Sequence, residues 1–169
     1  KIPLRILCRG GDSRGELDET CSYAMFPARL PQNYTKEVED FFLKELQAYQ
    51  PDVIHIWGTE YSHTLAMVNA AERAGLLGRV VISIQGLCSM IQRHYCEGIP
   101  GNVVSGYTFR DFLRQDNLLQ QQKVFGLRGE MECEALRKVS HVIGRTEWDL
   151  ACTKSINPDA QYHFCNETM

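Results

Sequence analysis

Three short stretches of this 169-residue chain combine residue types that can hold a polar ligand. They are Trp57-Gly58-Thr59-Glu60 with His63 close behind, Gln85-Gly86-Leu87, and Arg145-Thr146-Glu147. Together they offer a carboxylate, an amide, a guanidinium, hydroxyls and backbone N–H groups near expected helix starts. Such a set suits a polyhydroxylated or anionic ligand, because each group directs hydrogen bonds along a defined line. The competing reading makes them helix caps and turn glycines with no ligand. Other chemistries find less support. His94 with Cys88 and Cys96, or His163 with Cys165, lacks the paired spacing that makes a zinc site specific, so no metal is expected. No G-x-S-x-G elbow for a hydrolase occurs. Glu130, Glu132 and Glu134 alternate along a helical stretch and are expected to face solvent. His55 lies mid-strand and reads as a core histidine with its hydrogen bonds satisfied.

Each of the three stretches follows a short apolar run. Val53, Ile54, Ile56 and Trp57 predict a strand buried on both faces, with Pro51 stopping whatever precedes it. Thr59 and Ser62 are candidate N-caps for a helix over His63 to Ala74 that Gly75 ends. Val80 to Ile84 and His141 to Arg145 predict two more strands, and Thr146 caps a helix beginning Glu147-Trp148-Asp149. Upstream, strands are expected at Pro3 to Cys8 and Cys21 to Phe26, separated by a solvated Gly-rich loop over Arg9 to Thr20. Pro27 and Pro31 mark a further loop. Thr35 opens a helix with Glu37, Glu39 and Asp40 near its positive end and a stripe of Val38, Phe42, Leu46 and Tyr49.

Leu87 to Ser105 reads as a long irregular loop, followed by helical sequence from Thr108 to Gln122 and again from Lys123 to Val139. In the latter, Val124, Leu127, Met131, Ala135 and Val139 share one face, with Arg128–Glu132 and Glu134–Lys138 as i,i+4 pairs on others. Gln161 to Cys165 closes the chain as a strand. Strand and helix alternate at intervals of roughly 25 residues, which predicts an α/β fold: a Rossmann-like parallel sheet with helices on both faces. Right-handed crossovers then bring the three polar stretches to one edge of the sheet, where open parallel sheets bind ligands.

The composition, 44% hydrophobic and 23% charged with a net charge of -3, is that of an ordinary globular protein and gives no reason to expect a nucleic-acid partner. No apolar run approaches the roughly 20 residues of a membrane span, and no secretory signal is recognisable. Seven scattered cysteines without a C-x-x-C pair predict reduced thiols in a cytoplasmic protein. The sequons at Asn33 and Asn166 count only in a secretory setting. The chain begins without Met and stops just after an expected strand, so it reads as a piece of something longer.

The segments PDVIHIWGTEYSHTLA, VVISIQGL and EALRKVSHVIGRTEWD resemble, in order and separation, the N-terminal domain of GT-B retaining glycosyltransferases of the family-4, or group 1, type. The resemblance covers roughly residues 45 to 169. It implies a single Rossmann-like acceptor-side domain, lacking the family's first strand-loop unit and the C-terminal domain that binds a UDP- or GDP-linked sugar. The full-length enzyme would move a sugar from that donor to a saccharide or lipid-linked acceptor with retention, without a cofactor, in the cytoplasm and with possible peripheral membrane contact. This chain alone would be inactive. The resemblance places Trp57, Gly58, Thr59, His63, Gln85, Gly86, Arg145, Thr146 and Glu147 along the cleft. Glu60 is the residue expected to orient an acceptor hydroxyl. Gln85 stands where the family carries a histidine, and glutamine cannot carry a proton near neutral pH. The rival readings are a non-catalytic carbohydrate- or nucleotide-binding domain and a GT-B-fold sugar-nucleotide epimerase.

Overall fold

The computed structural model describes residues 2–27 and 32–165. Pro31 and the sequon at Asn166 fall outside them. From Ile54 onward the chain forms a four-stranded, all-parallel sheet in the order β4(Ile54–Trp57), β5(Val80–Ser83), β6(His141–Gly144), β7(Gln161–Phe164). Helices flank it: α2(Ser62–Arg73) follows β4, α6(Leu118–Lys138) precedes β6, and α7(Glu147–Ile156) links β6 to β7. This is the Rossmann-like α/β architecture that the strand–helix alternation predicts.

The register explains why these short runs suffice. Ile54, Ile56, Val80, Ile82 and Val142 lie on one face and are all buried, in one core with Leu65, Ala66 and Val68 of α2 and Leu136 of α6. The opposite face differs from expectation. Strand β4 alternates instead of burying both faces: His55 and Trp57 are exposed, Trp57 by 61%, and Val53 lies outside the strand and is 66% exposed. His55 is therefore no core residue. Its Nε2 meets Ser83 Oγ at 2.7 Å across the strand pair.

The residues before α1(Lys36–Tyr49) form a smaller sheet in the order β1(Leu4–Gly10), β3(Cys21–Pro27), β2(Arg14–Glu16), with β1 parallel and β2 antiparallel to β3. Strand β2 lies inside the stretch expected to be only loop. One glutamate of α1 joins this helix to the small sheet and a second joins it to α2. Buried Glu45 receives Arg5 at 2.7 Å and Arg14 at 2.6 Å, so Arg14 serves the fold instead of projecting from a solvated loop. Buried Glu39 joins Tyr34, Lys36 and, at 2.5 Å, Arg73 of α2. Breaking pairs of this kind leaves a charge without water or partner, which is why both acids are held from more than one side.

The stretch from Leu87 to Ser105 is not irregular throughout. It contains α3(Cys88–His94) and α4(Gly101–Val104). The helical sequence after it divides at Gln115, whose φ of 55° is left-handed, into α5(Phe109–Arg114) and α6. Asn117 and Gln120 form the capping box that starts α6. Among the described residues no helix is long and apolar enough to cross a membrane.

Candidate functional site

The carboxyl ends of β4, β5 and β6 lie on one edge, as the parallel register requires. The ladder continues one step past the strands, through Gly58 N–H to Ser83 O at 2.9 Å and Ile84 N–H to Ile143 O at 2.8 Å. The loops that leave this edge carry the three polar stretches. They do not form one constellation. They divide into a buried knot, a rim carboxylate and a shallow cleft.

The knot is built on Glu132, which α6 turns inward to 1% exposure, where solvent exposure was expected. Its Oε1 accepts from Ser89 Oγ at 2.6 Å and Ser89 N at 3.0 Å, and its Oε2 accepts from Cys88 N at 2.9 Å. The first amides of α3 thus find their acceptor on another helix, while Leu87, at the N-cap position, makes no side-chain cap. Thr59 Oγ1 lies 2.8 Å from Glu132 Oε2 and 2.5 Å from Gly86 O, so its single proton is shared between the two acceptors. Thr59 is therefore a strut between two strand-end loops and not an N-cap, and Ser62 donates to Asn33 O. Helix α6 can come this near because of Gly129, where a Cβ would stand 2.6 Å from Ser89 Cα. One carboxylate so ties the loops after β4 and β5 to α6.

The rim carboxylate is Glu60. It lies over two glycines: a Cβ at Gly58 would overlap Glu60 Oε2, and one at Gly86 would sit 3.8 Å from its side chain. Gly58 is needed on a second count, since its φ of 90° is a conformation that side chains disfavour. Glu60 Oε2 is buried and has no hydrogen-bond partner among the described residues. Arg128 holds the residue from behind. Its Nε donates to Glu60 O at 2.6 Å, and its guanidinium lies 5.4 Å from the Tyr61 ring and 5.0 Å from the Phe125 ring. The expected Arg128–Glu132 pair is not made; the Glu132 oxygens are taken by Thr59, Cys88 and Ser89. Likewise Lys138 reaches Glu72 and Asn69 on α2 and not Glu134.

His63 stands beside this rim, stacked on Tyr61 at 5.1 Å and edge-on to Phe26 at 5.2 Å. Burial, with the Arg9 charge adding to it, pushes its imidazole down to about 4, so it is neutral near pH 7 and able both to donate and to accept. Cys88 is inert by the same cause: burial, opposed by Arg128 and reinforced by Glu132 and Glu60, pushes its thiol up to about 12.

The cleft, about 120 Å³, opens on the other side of the same strand ends. His55, Trp57, Ser83, Gln85 and Arg145 contribute to its walls with Ile84 and Ile143, and Arg145 Nη2 donates to Gln85 O at 3.3 Å. Trp57, Gln85 and Arg145 therefore belong together and apart from Glu60. Thr146 and Glu147 join neither group. Thr146 caps α7, its Oγ1 accepting from Asp149 N at 3.0 Å, and Glu147 is an exposed residue of the first turn. A larger hollow of about 240 Å³ lies at the far end of the first sheet, lined by Glu16, Asp18 and Tyr49 among others. Asp18 there is committed to a turn, accepting from Thr20 and Cys21, which holds its carboxyl below the usual range.

Sequence reasoning missed Glu132, Ser89, Arg128 and Tyr61. A signal for Glu132 exists in hindsight: Gly129, Glu132, Ala135, Leu136 and Val139 follow the i, i+3, i+6, i+7, i+10 rhythm of the true buried stripe. No protein-family model, no curated protein and no solved structure matches this chain.

Proposed function

We propose that this chain is the acceptor-side domain of a GT-B retaining glycosyltransferase, with Glu60 accepting a hydrogen bond from the acceptor hydroxyl. The observation that carries the reading is Glu60 Oε2: a buried carboxylate oxygen at the carboxyl edge of a parallel sheet with no partner among the described residues. Such an oxygen is costly to leave unpaired and gains most from a donor that arrives with a ligand. Two further features support it. The segments that resemble the family fall on the neighbouring strands β4, β5 and β6, and neutral His63 stands beside the same rim. In this reading the donor nucleotide-sugar is held by a second domain, the acceptor is a saccharide or a lipid-linked saccharide, and the protein works in the cytoplasm with peripheral membrane contact. Glu60 orients the attacking oxygen. The charge on the departing diphosphate is stabilised from the donor side.

The test is a panel of UDP- and GDP-sugars with saccharide and lipid-linked acceptors, applied to the full-length protein. Transfer with retention is expected, falling by about 100-fold in kcat/KM for the acceptor in Glu60→Gln. Unchanged turnover and acceptor KM in that variant would remove Glu60 from the mechanism. Saccharide binding without nucleotide release from any donor would favour a carbohydrate-binding module.

A further inference from the structure

The sheet face that carries Trp57 also carries a pair of histidines that the site above does not use. Strands β6 and β7 pair in parallel, with His141 opposite Gln161 and Ile143 opposite His163. His141 and His163 are thus diagonal neighbours on the same face, a separation that long or aromatic side chains can bridge. They do bridge it: His141 Nδ1 and His163 Nε2 are 3.1 Å apart, with the rings tilted at 33° and their centroids 5.3 Å apart. His141 is partly buried and His163 exposed.

We propose that His141 and His163 form a two-histidine site for a divalent transition-metal ion of borderline softness, with zinc as the probe. Each ring brings one nitrogen within hydrogen-bond distance of the other's, close enough for one ion to bind both. In the metal-free pair one of those nitrogens carries a proton and the other accepts it. When that proton sits instead on the far nitrogen of its own ring, both lone pairs face inward and no net charge change is needed. Imidazole nitrogens hold zinc at about 2.0–2.1 Å, so two nitrogens 3.1 Å apart subtend about 95–102° at the ion. That range lies between the right angle of tetragonal copper or nickel sites and the tetrahedral angle of zinc. The rings are already placed, so little side-chain order has to be created on binding. Among the described residues no third histidine, cysteine or carboxylate completes a cluster, and water therefore fills the other positions. The ion expected is one that accepts a nitrogen pair and keeps an open coordination sphere. Calcium and magnesium, which prefer oxygen, are excluded by the ligand type.

The experiment is a zinc titration of the reduced protein followed by imidazole nitrogen NMR, which separates histidine ligation from binding at thiols. The expected result is a saturable shift of the His141 Nδ1 and His163 Nε2 resonances with one equivalent of zinc. The apparent affinity at these resonances should fall at least tenfold in either His141→Gln or His163→Gln. His94→Gln, on α3 and paired with Glu97, should bind as the parent does. Both strand variants keep a side chain of similar reach at positions that are not fully buried, and circular dichroism verifies that they fold. Shifts absent at millimolar zinc, or retained undiminished in one of the two strand variants, overturn the proposal. A loss of binding in His94→Gln overturns it as well, by placing the ion elsewhere.

Discussion

Glu60 and Glu132 lie at the same edge of the same sheet and have opposite fates. Glu132 is almost wholly enclosed and both its oxygens are occupied by hydroxyls and backbone amides of two other segments. Glu60 keeps an oxygen that no described group satisfies, over two glycines that leave it room. A carboxylate whose hydrogen-bonding capacity is met inside the chain has nothing left to offer a ligand and much to contribute to the fold. One whose capacity is unmet costs stability and keeps its capacity for a visitor. The pair separates what holds the strand-end loops from what those loops present.

The largest effect should come from removing the knot. Glu132→Ala strands the Ser89 hydroxyl and two helix-start amides and removes one of the two acceptors of the Thr59 proton, and should cost about 3–5 kcal/mol, several unsatisfied groups together. Urea unfolding should show a lower midpoint with an unchanged slope, and a loss under 1 kcal/mol would mean that water or a rearranged loop replaces the carboxylate. Next comes Gly58→Ala, which forces a side chain into a φ of 90° and against Glu60. It should cost about 1–3 kcal/mol and displace the rim carboxylate, a change visible as shifted Glu60 and Tyr61 resonances.

A smaller effect belongs to His63. Its folded pKa of about 4 lies below the usual 6.5, so between these values the unfolded chain binds the extra proton and the folded chain does not. Stability should therefore be intact above pH 6.5 and decline as the pH falls toward 4, and His63→Gln should flatten that slope. An unchanged slope in the variant would place the acid sensitivity elsewhere. Least of all, Glu60→Gln should move stability by no more than about 0.5 kcal/mol in either direction, since no internal bond to its free oxygen is lost. A loss comparable with that of Glu132→Ala would erase the contrast between the two glutamates.

Much of this was open to reading in the chain. The runs VIHIW, VVISI and HVIGR are short, β-rich and bounded by Gly or polar turns, and all three form strands because local preference and burial agree. The α7 cap at Thr146 was legible for the same reason: its partner Asp149 is three residues away. The site was legible only in position. Trp57, Glu60 and Gln85 do stand at strand ends, but nothing local reveals that Trp57 and Gln85 face a cleft while Glu60 faces the rim. The strand through Arg14 went unseen because its ladder partner, β3, lies across a turn in which Asp18 and not a glycine pair makes the reversal.

By itself the sequence determined the four strands of the parallel sheet, the helices α1, α2 and α7, and the edge at which polar groups gather, since these follow from periodicity, caps and crossover handedness. Tertiary structure alone decided which carboxylate is used up and which is left. Glu132 contacts Thr59 across 73 residues and Ser89 across 43, and at that separation burial and partner depend on how α6 lies against two loops. The stripe around Glu132 shows that it faces inward, but not which groups meet it there. Only packing gives Glu132 and Glu60 different work.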